Sequence, residues 1–281
     1  MKKISFLLIV VIPAMITFGQ NNSKKTITDK IPGTECDNAI HNELPADANN
    51  RSPSECEAQF DRKTRTALRN AFNKTFVDFS AKDWIINDTA VETLKQIGKS
   101  TENYFFNLSY FFNFDLNPGS TIYKTWSEKN QAAMEELRNP TETSYKKFAD
   151  LSYKINNAIH IRFYVQVNDA NESIYFFNGG QQVIAVPGAA YAVKGSYASA
   201  LSGGGKESAM DACFIVFGKP KISSQKYEDG SVSVRAENNF PKGMSHLTVQ
   251  SITIRVECNE ELLNKILSET DFKAIAAMIA K

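Results

Sequence analysis

The spacing of the apolar residues changes once along the chain, and this change constrains the fold more than any other feature. Over residues 53–157 most apolar side chains recur every three or four positions, which is the spacing of one face of an α-helix. After Ala158 they alternate with polar side chains, as in a strand with one buried face. We therefore predict an α+β protein, in which an N-terminal helical region packs on a mainly antiparallel C-terminal β-sheet with closing C-terminal helices.

The helical region is predicted to cover residues 52–158. Its first helix begins at Ser52, where Pro53 and Glu55 complete a helix start signal, and it continues to about Phe79. Capping patterns and helical spacing predict further helices over residues 89–98, over residues 120–138, and from Pro140 onward.

An uncharged aromatic segment lies between these helices, with seven aromatic side chains over residues 104–114. If the segment is a helix, its rings occupy more than one face, and the surplus rings Phe106, Tyr110 and Phe114 need a second neighbour. That neighbour is either a bound apolar molecule or the apolar face of the first strand, formed by Ile161, Phe163 and Val165. We predict a hydrophobic cavity between the segment and the sheet, with Phe106, Tyr110 and Phe114 as ligand-binding residues; the alternative is an ordinary core helix.

Residues 159–281 are predicted to form the sheet and the closing helices, either as a separate region or in one domain with residues 52–158. The stretch CFIVF, over residues 213–217, is apolar on both faces and predicts a central strand. Two strands are predicted to form a hairpin around residues 178–180. The alternation of the last strand slips by one residue near Gln250 and Ser251, which predicts a β-bulge there.

The N-terminus predicts export. Lys2 and Lys3 precede a short apolar run, so residues 1–19 are predicted to be a signal peptide that is cleaved before Gln20. The mature protein is then periplasmic or extracellular, without a membrane span; an uncleaved anchor is the alternative. Residues 20–51 are polar and without periodicity, and we predict a flexible leader.

The chain has four cysteines, and an even number in an exported protein favours disulfides. We predict that Cys36 pairs with Cys56 and that Cys213 pairs with Cys258, which would join two strands of one sheet. The other two pairings remain open. A metal site at Cys36, His41 and Cys56 is the competing interpretation, but its fourth ligand is not evident, and we predict no metal or cofactor.

Composition and motifs argue against several classes of function, but they do not identify the function itself. A formal net charge of +1 with 22% charged residues argues against a broad nucleic-acid or membrane-binding surface. The glycine run at residues 200–206 resembles a phosphate loop, but Glu207 stands where the motif needs Ser or Thr, so we predict a surface loop. We predict a non-catalytic binding protein, with a small apolar molecule as the expected ligand; a secreted hydrolase and a structural component of the cell envelope are the alternatives.

Overall fold

A computed structural model describes residues 55–80, 83–87, 96–99, 104–139, 141–169, 171–176, 180–198, 209–238, 245 and 247–280. The helices of this described part are α1 (Glu55–Ser80), α2 (Thr121–Glu136), α3 (Glu142–Ile159), α4 (Glu260–Glu269) and α5 (Phe272–Ala277). The strands are β1 (Trp84–Asn87), β2 (Gln96–Lys99), β3 (Tyr104–Leu116), β4 (His160–Val167), β5 (Asn171–Phe176), β6 (Gln182–Val183), β7 (Tyr191–Ala198), β8 (Ala209–Phe217), β9 (Lys221–Lys226), β10 (Val232–Glu237) and β11 (Ile252–Cys258).

The strands form one sheet in the order β1-β3-β4-β11-β8-β7-β5-β10-β9, with β2 also paired to β3 and β6 to β7. Every strand pair among the described residues is antiparallel. The predicted α+β class, with helices, a mainly antiparallel sheet and C-terminal helices, is therefore confirmed. The predicted signal peptide and leader lie outside the described residues and stay predictions.

The main core lies between the helices and one face of the central strands. From α1, Leu68 and Phe72 are fully buried, and the Phe72 ring lies 5.3 Å from that of Phe163 on β4. Ile266 of α4 and Ile275 of α5 belong to the same cluster. The apolar face predicted for the first helix is thus the face that packs on the sheet, as the hydrophobic effect requires.

A second core lies on the other face of β8. Its members are Ile174 and Phe176 of β5, Val193 of β7, Ala212, Phe214 and Val216 of β8, and Val232, Val234 and Ala236 of β10. Strand β8 is therefore buried on both faces, as its sequence predicted. We refer to β5, β10 and β9 as the three-stranded layer; its β5 joins β7 through the pair Phe176 and Tyr197.

The aromatic segment is strand β3, so the predicted helix is wrong. Leu108, Tyr110, Phe112 and Phe114 are buried, while the residues between them are partly exposed. This alternation shows that Tyr110, Phe112 and Phe114 share the buried face of a strand, whereas Phe111 lies on the opposite face. On β4 the cross-strand partners of the four buried residues are Val167, Val165, Phe163 and Ile161, respectively.

Two other local predictions are also wrong. Residues 96–99 form strand β2 beside β3, so a predicted helix cannot continue to Gly98, and the described part of the region 52–158 includes the three strands β1, β2 and β3. The two strands flanking residues 178–180 do not pair with each other in the described part of the chain. Instead β5 pairs with β10 and β7, while β6 pairs with β7. Long-range pairing decides both cases, and local spacing does not report it.

The slip in the last strand pattern is an irregular segment rather than a bulge within a strand. Strand β11 begins only at Ile252, and residues 247–251 are not part of it. Asn168 is fully buried, and its side-chain oxygen accepts hydrogen bonds from the backbone N–H groups of Gln250 (2.7 Å) and Ser251 (3.3 Å). The asparagine thus satisfies backbone groups that have left the strand ladder.

Helices α2 and α3 confirm the two helices predicted around Pro140. Ser120 caps α2, and Thr141 forms a capping box with Ser144 at the start of α3. No residue of α2 is buried, and Met134 and Tyr145 are 53% and 58% exposed. Among the described helices, none is both long and apolar enough to cross a bilayer.

Candidate functional site

The outer face of the three-stranded layer is polar. Side chains alternate along each strand, so the residues between the buried apolar positions of β5, β10 and β9 all point away from the second core. Strand pairing arranges them in three cross-strand rows: Asn171, Glu237 and Lys221; Ser173, Arg235 and Ser223; and Tyr175, Ser233 and Gln225. Polar side chains from three distant parts of the sequence therefore meet on one surface.

Part of this surface, without Lys221 and Tyr175, lines a groove of about 670 Å³. Such a volume lies within the range of roughly 300 to 1,000 Å³ that small-molecule sites occupy. Ligand sites are usually lined by apolar side chains, whereas this groove is lined almost entirely by hydroxyl, amide and charged groups. Its chemistry therefore suits a polar ligand.

Arg235 lies at the centre of the groove. Its Nη2 donates a hydrogen bond to Oδ1 of Asn171 at 2.9 Å, and its Nε lies 3.3 Å from Oε1 of Glu237. The guanidinium carries five N–H donors, so it retains donors for a ligand after both contacts. Because the carboxylate of Glu237 balances its charge, this pair adds no net charge to the groove.

Two tyrosines lie at one end of the groove. The rings of Tyr175 and Tyr227 are 5.6 Å apart and tilted by 47°, and Tyr227 is 39% exposed. The Tyr175 hydroxyl makes a short hydrogen bond with that of Ser231, which in turn donates to Asp229. Ser231 is 1% exposed, so the turn between β9 and β10 holds Tyr175 in place, and Tyr175 supports the exposed ring.

Four other polar side chains of the groove have unused hydrogen-bonding capacity. These four side chains are Ser173, Ser223, Gln225 and Ser233. None of them makes a side-chain hydrogen bond to another residue in the described part of the chain. Each can both donate and accept. The groove therefore offers a ligand a row of uncommitted donors and acceptors beside the central arginine.

Glu172 borders the groove, but it lies two positions before buried Ile174 on the same strand and therefore points to the inner side of the layer. Burial raises the pKa of its carboxyl to about 7; nearby Asp169 adds to this rise, while Arg255 and a hydrogen bond from the backbone of Ser173 oppose it. A carboxyl with a raised pKa thus lies at the border of the groove.

Arg255 of β11 belongs to a stack on the central strands. Its guanidinium lies 4.2 Å from the ring centroid of Tyr164, and that ring lies 4.7 Å from Phe111. Its Nε is 3.0 Å from Oε1 of Glu257, a side chain that is 2% exposed and whose pKa is raised by burial. The cation–π contact and the ion pair fix the guanidinium, whose positive charge opposes the rise in the pKa of Glu172.

The predicted ligand-binding residues lie elsewhere. Tyr110 is 4% exposed and donates a hydrogen bond to Asp61 of α1 at 2.8 Å, and Phe114 is fully buried with its ring 5.9 Å from Phe163. The Phe106 side chain lies outside the described residues, although its backbone belongs to β3. The predicted cavity required a helix that packs on the sheet, whereas β3 is itself a strand of the sheet. Tyr110 and Phe114 are therefore core residues.

The predicted disulfide between Cys213 and Cys258 is wrong, since both are free, buried thiols. Their strands β8 and β11 are neighbours, as expected, but Cys213 lies opposite Val256 and Cys258 opposite Asp211. Diagonal positions are about 7 to 8 Å apart, beyond the usual disulfide range. Burial raises the pKa of Cys213 to about 12, which keeps that thiol protonated. Cys36 lies outside the described residues, so its pairing with Cys56 stays a prediction.

The remaining motifs do not contribute to the groove. The glycine run at residues 200–206 and two histidines, His41 and His246, lie outside the described residues. His160 is on β4, where its Nδ1 lies 2.7 Å from Oδ1 of Asp115. Within the described ranges, no group of three or more potential metal ligands comes together.

The sequence patterns did not reveal the groove. The alternation of Val232, Val234 and Ala236 with polar residues predicts β10, but β9 is not predicted, because its sequence KISSQK has a single apolar residue and no clear alternation. The one usable signal is the polar half of the alternation in β5 and β10, which by itself indicates only a solvent-facing side. No protein-family model, curated protein sequence or solved structure matches this chain. Its function is therefore inferred from the geometry of the groove.

Proposed function

We propose that the protein is a non-catalytic binding protein whose ligand is a small polar molecule bound in the groove on the three-stranded layer. The observation that carries this proposal is the set of side chains that line the groove without hydrogen-bonding partners among the described residues, around an arginine that keeps free N–H donors. A polar ligand gains affinity when such groups converge on it from several strands.

The predicted role of a binding protein is thereby kept, but the expected ligand changes from apolar to polar. The apolar ligand was inferred from rings on two faces of a helix, and those rings whose side chains are described lie in the core of the sheet. Export to the periplasm or beyond remains part of the proposal, since it rests on the N-terminal sequence alone.

The test is a ligand screen followed by a variant that blocks the groove. A panel of sugars, amino acids, small carboxylates and nucleosides is screened by thermal shift, and hits are measured by calorimetry. Ser233→Trp places a large ring at the centre of one cross-strand row. Ser127→Trp makes the same change on an exposed position of α2 and serves as the control.

We expect at least one panel member to bind, with loss of binding in Ser233→Trp and retention in Ser127→Trp. Binding that survives Ser233→Trp would place the site elsewhere and contradict the proposal. A panel without any ligand would also contradict it. Turnover of a bound panel member would instead support the alternative of a secreted hydrolase.

A further inference from the structure

The charge balance of the groove restricts its ligand. Arg235 and Glu237 form an ion pair 3.3 Å apart, and Lys221, which lies opposite Glu237 on β9, is not among the described residues that line the groove. An anionic ligand would compete with Glu237 for the guanidinium. A cationic ligand would face the guanidinium without a dedicated carboxylate. A ligand without net charge is favoured, because it leaves the ion pair intact.

The hydrogen-bonding groups favour a ligand with many hydroxyls. Each hydroxyl both donates and accepts, so it is best satisfied by a donor and an acceptor held side by side. The Arg235–Glu237 pair supplies both with charge-assisted strength, and Ser173 and Ser223 flank Arg235 on the two neighbouring strands. Vicinal hydroxyls of a sugar ring have the matching arrangement.

The tyrosine end of the groove supplies a stacking surface. Sugars have an apolar side formed by C–H groups, and such a side packs well on an aromatic ring. Tyr227 lines the groove, is 39% exposed, and contacts the ring of Tyr175 at a centroid distance of 5.6 Å. Polar groups along the groove and an exposed ring at its end thus correspond to the two sides of a pyranose.

We infer that the ligand of the groove is a neutral saccharide, whose C–H face stacks on Tyr227 and whose hydroxyls bond to Arg235, Glu237 and the flanking serines. This inference rests on the proposed function, because it names the ligand class of the same groove. It goes beyond that function by excluding charged metabolites and by assigning Tyr227 as the stacking residue.

The test uses a panel of neutral mono- and oligosaccharides built from glucose, galactose, mannose and N-acetylglucosamine, with glucuronic acid, glucosamine and free amino acids as charged comparisons. Affinities are measured by calorimetry for the wild type and for Tyr227→Ala, Tyr227→Phe and Tyr145→Ala. Tyr145 is an exposed tyrosine on α3, outside the groove, and therefore provides a matched control. Circular dichroism verifies that each variant is folded.

We expect a neutral saccharide to bind and Tyr227→Ala to weaken it about tenfold, as loss of an aromatic contact predicts. Tyr227→Phe keeps the ring and should stay within about twofold, and Tyr145→Ala should bind like the wild type. If only charged or non-saccharide molecules bind, and Ser233→Trp abolishes their binding, the saccharide inference fails while the proposed function stands. If nothing binds, or binding ignores both Tyr227→Ala and Ser233→Trp, both fail.

Discussion

Replacing Glu172 with glutamine tests whether burial on the inner side of the three-stranded layer raises the pKa of this carboxyl. Because burial raises the pKa of this carboxyl from 4.5 to about 7, the folded protein binds a proton that the unfolded chain releases between these pH values. The free energy of unfolding therefore falls as pH rises through this window. At about 1.36 kcal/mol per pKa unit the loss is at most about 3 kcal/mol. We expect about 1 to 2 kcal/mol, since the side chain is partly exposed.

Glutamine resembles the protonated acid and does not titrate. Glu172→Gln should match the wild type near pH 5 and become more stable than it by about 1 to 2 kcal/mol at pH 8. Urea unfolding at pH 5, 6, 7 and 8, followed by circular dichroism, measures the difference at each pH. Subtracting the variant from the wild type removes the contributions of other titrating groups. Glu228→Gln, in the exposed turn after β9, reports the effect of losing a surface carboxylate.

The environment of Glu172 determines whether its pKa is raised or lowered, and therefore whether the free energy of unfolding falls or rises with pH. Asp169 opposes its ionisation and Arg255 favours it, with burial as the largest cause of the rise. If Arg255 outweighed burial, the wild type would gain stability relative to Glu172→Gln as pH rises. That outcome, or a difference that does not depend on pH, would refute the reasoning. A carboxyl ¹³C NMR titration should show one glutamate midpoint near 7 that disappears in the variant.

Three further predictions concern the core. Tyr110→Phe removes the hydrogen bond to Asp61 and should lower the free energy of unfolding by about 1 to 3 kcal/mol in urea titrations, while an unchanged value would show that water replaces the bond. Asn168→Ala leaves two backbone N–H groups without their acceptor and places alanine at a φ of 57°. We expect urea titrations to show a free energy of unfolding lower by about 2 to 4 kcal/mol, and Asn168→Gly should recover part of this loss because glycine adopts positive φ without strain. Cys213 and Cys258 should not react with a thiol reagent in the folded protein and should both react in urea without reductant. Reaction in the native state would contradict their burial, and four reactive thiols before reduction would contradict the predicted Cys36–Cys56 disulfide.

Much of the fold was predictable because its elements follow from periodicity. The first helix, strand β4, the doubly buried strand β8 and the closing helices all have apolar residues at the spacing of the element they form. The aromatic segment was not predictable in the same way. A run this rich in apolar residues fits both the helical period of 3.6 residues and the strand period of 2. Only the pairing of β3 with β4 shows which rings share a face.

The site depended still more on tertiary structure. Strands β5, β9 and β10 each carry ordinary polar residues, and none of them forms a motif by itself. The register of the strands places Arg235 between Ser173 and Ser223. The packing of the layer buries Glu172 beside Arg255, which lies more than eighty positions away in the chain.

The sequence by itself therefore determined the class of fold, the positions of most helices and several strands, and which side of each strand is apolar. Tertiary structure decided strand order, the state of Cys213 and Cys258, and the assembly of the groove. The physical reason is that periodicity is a local consequence of burial on one face. Strand order and register instead depend on the free energy of contacts between distant segments, which no local pattern encodes.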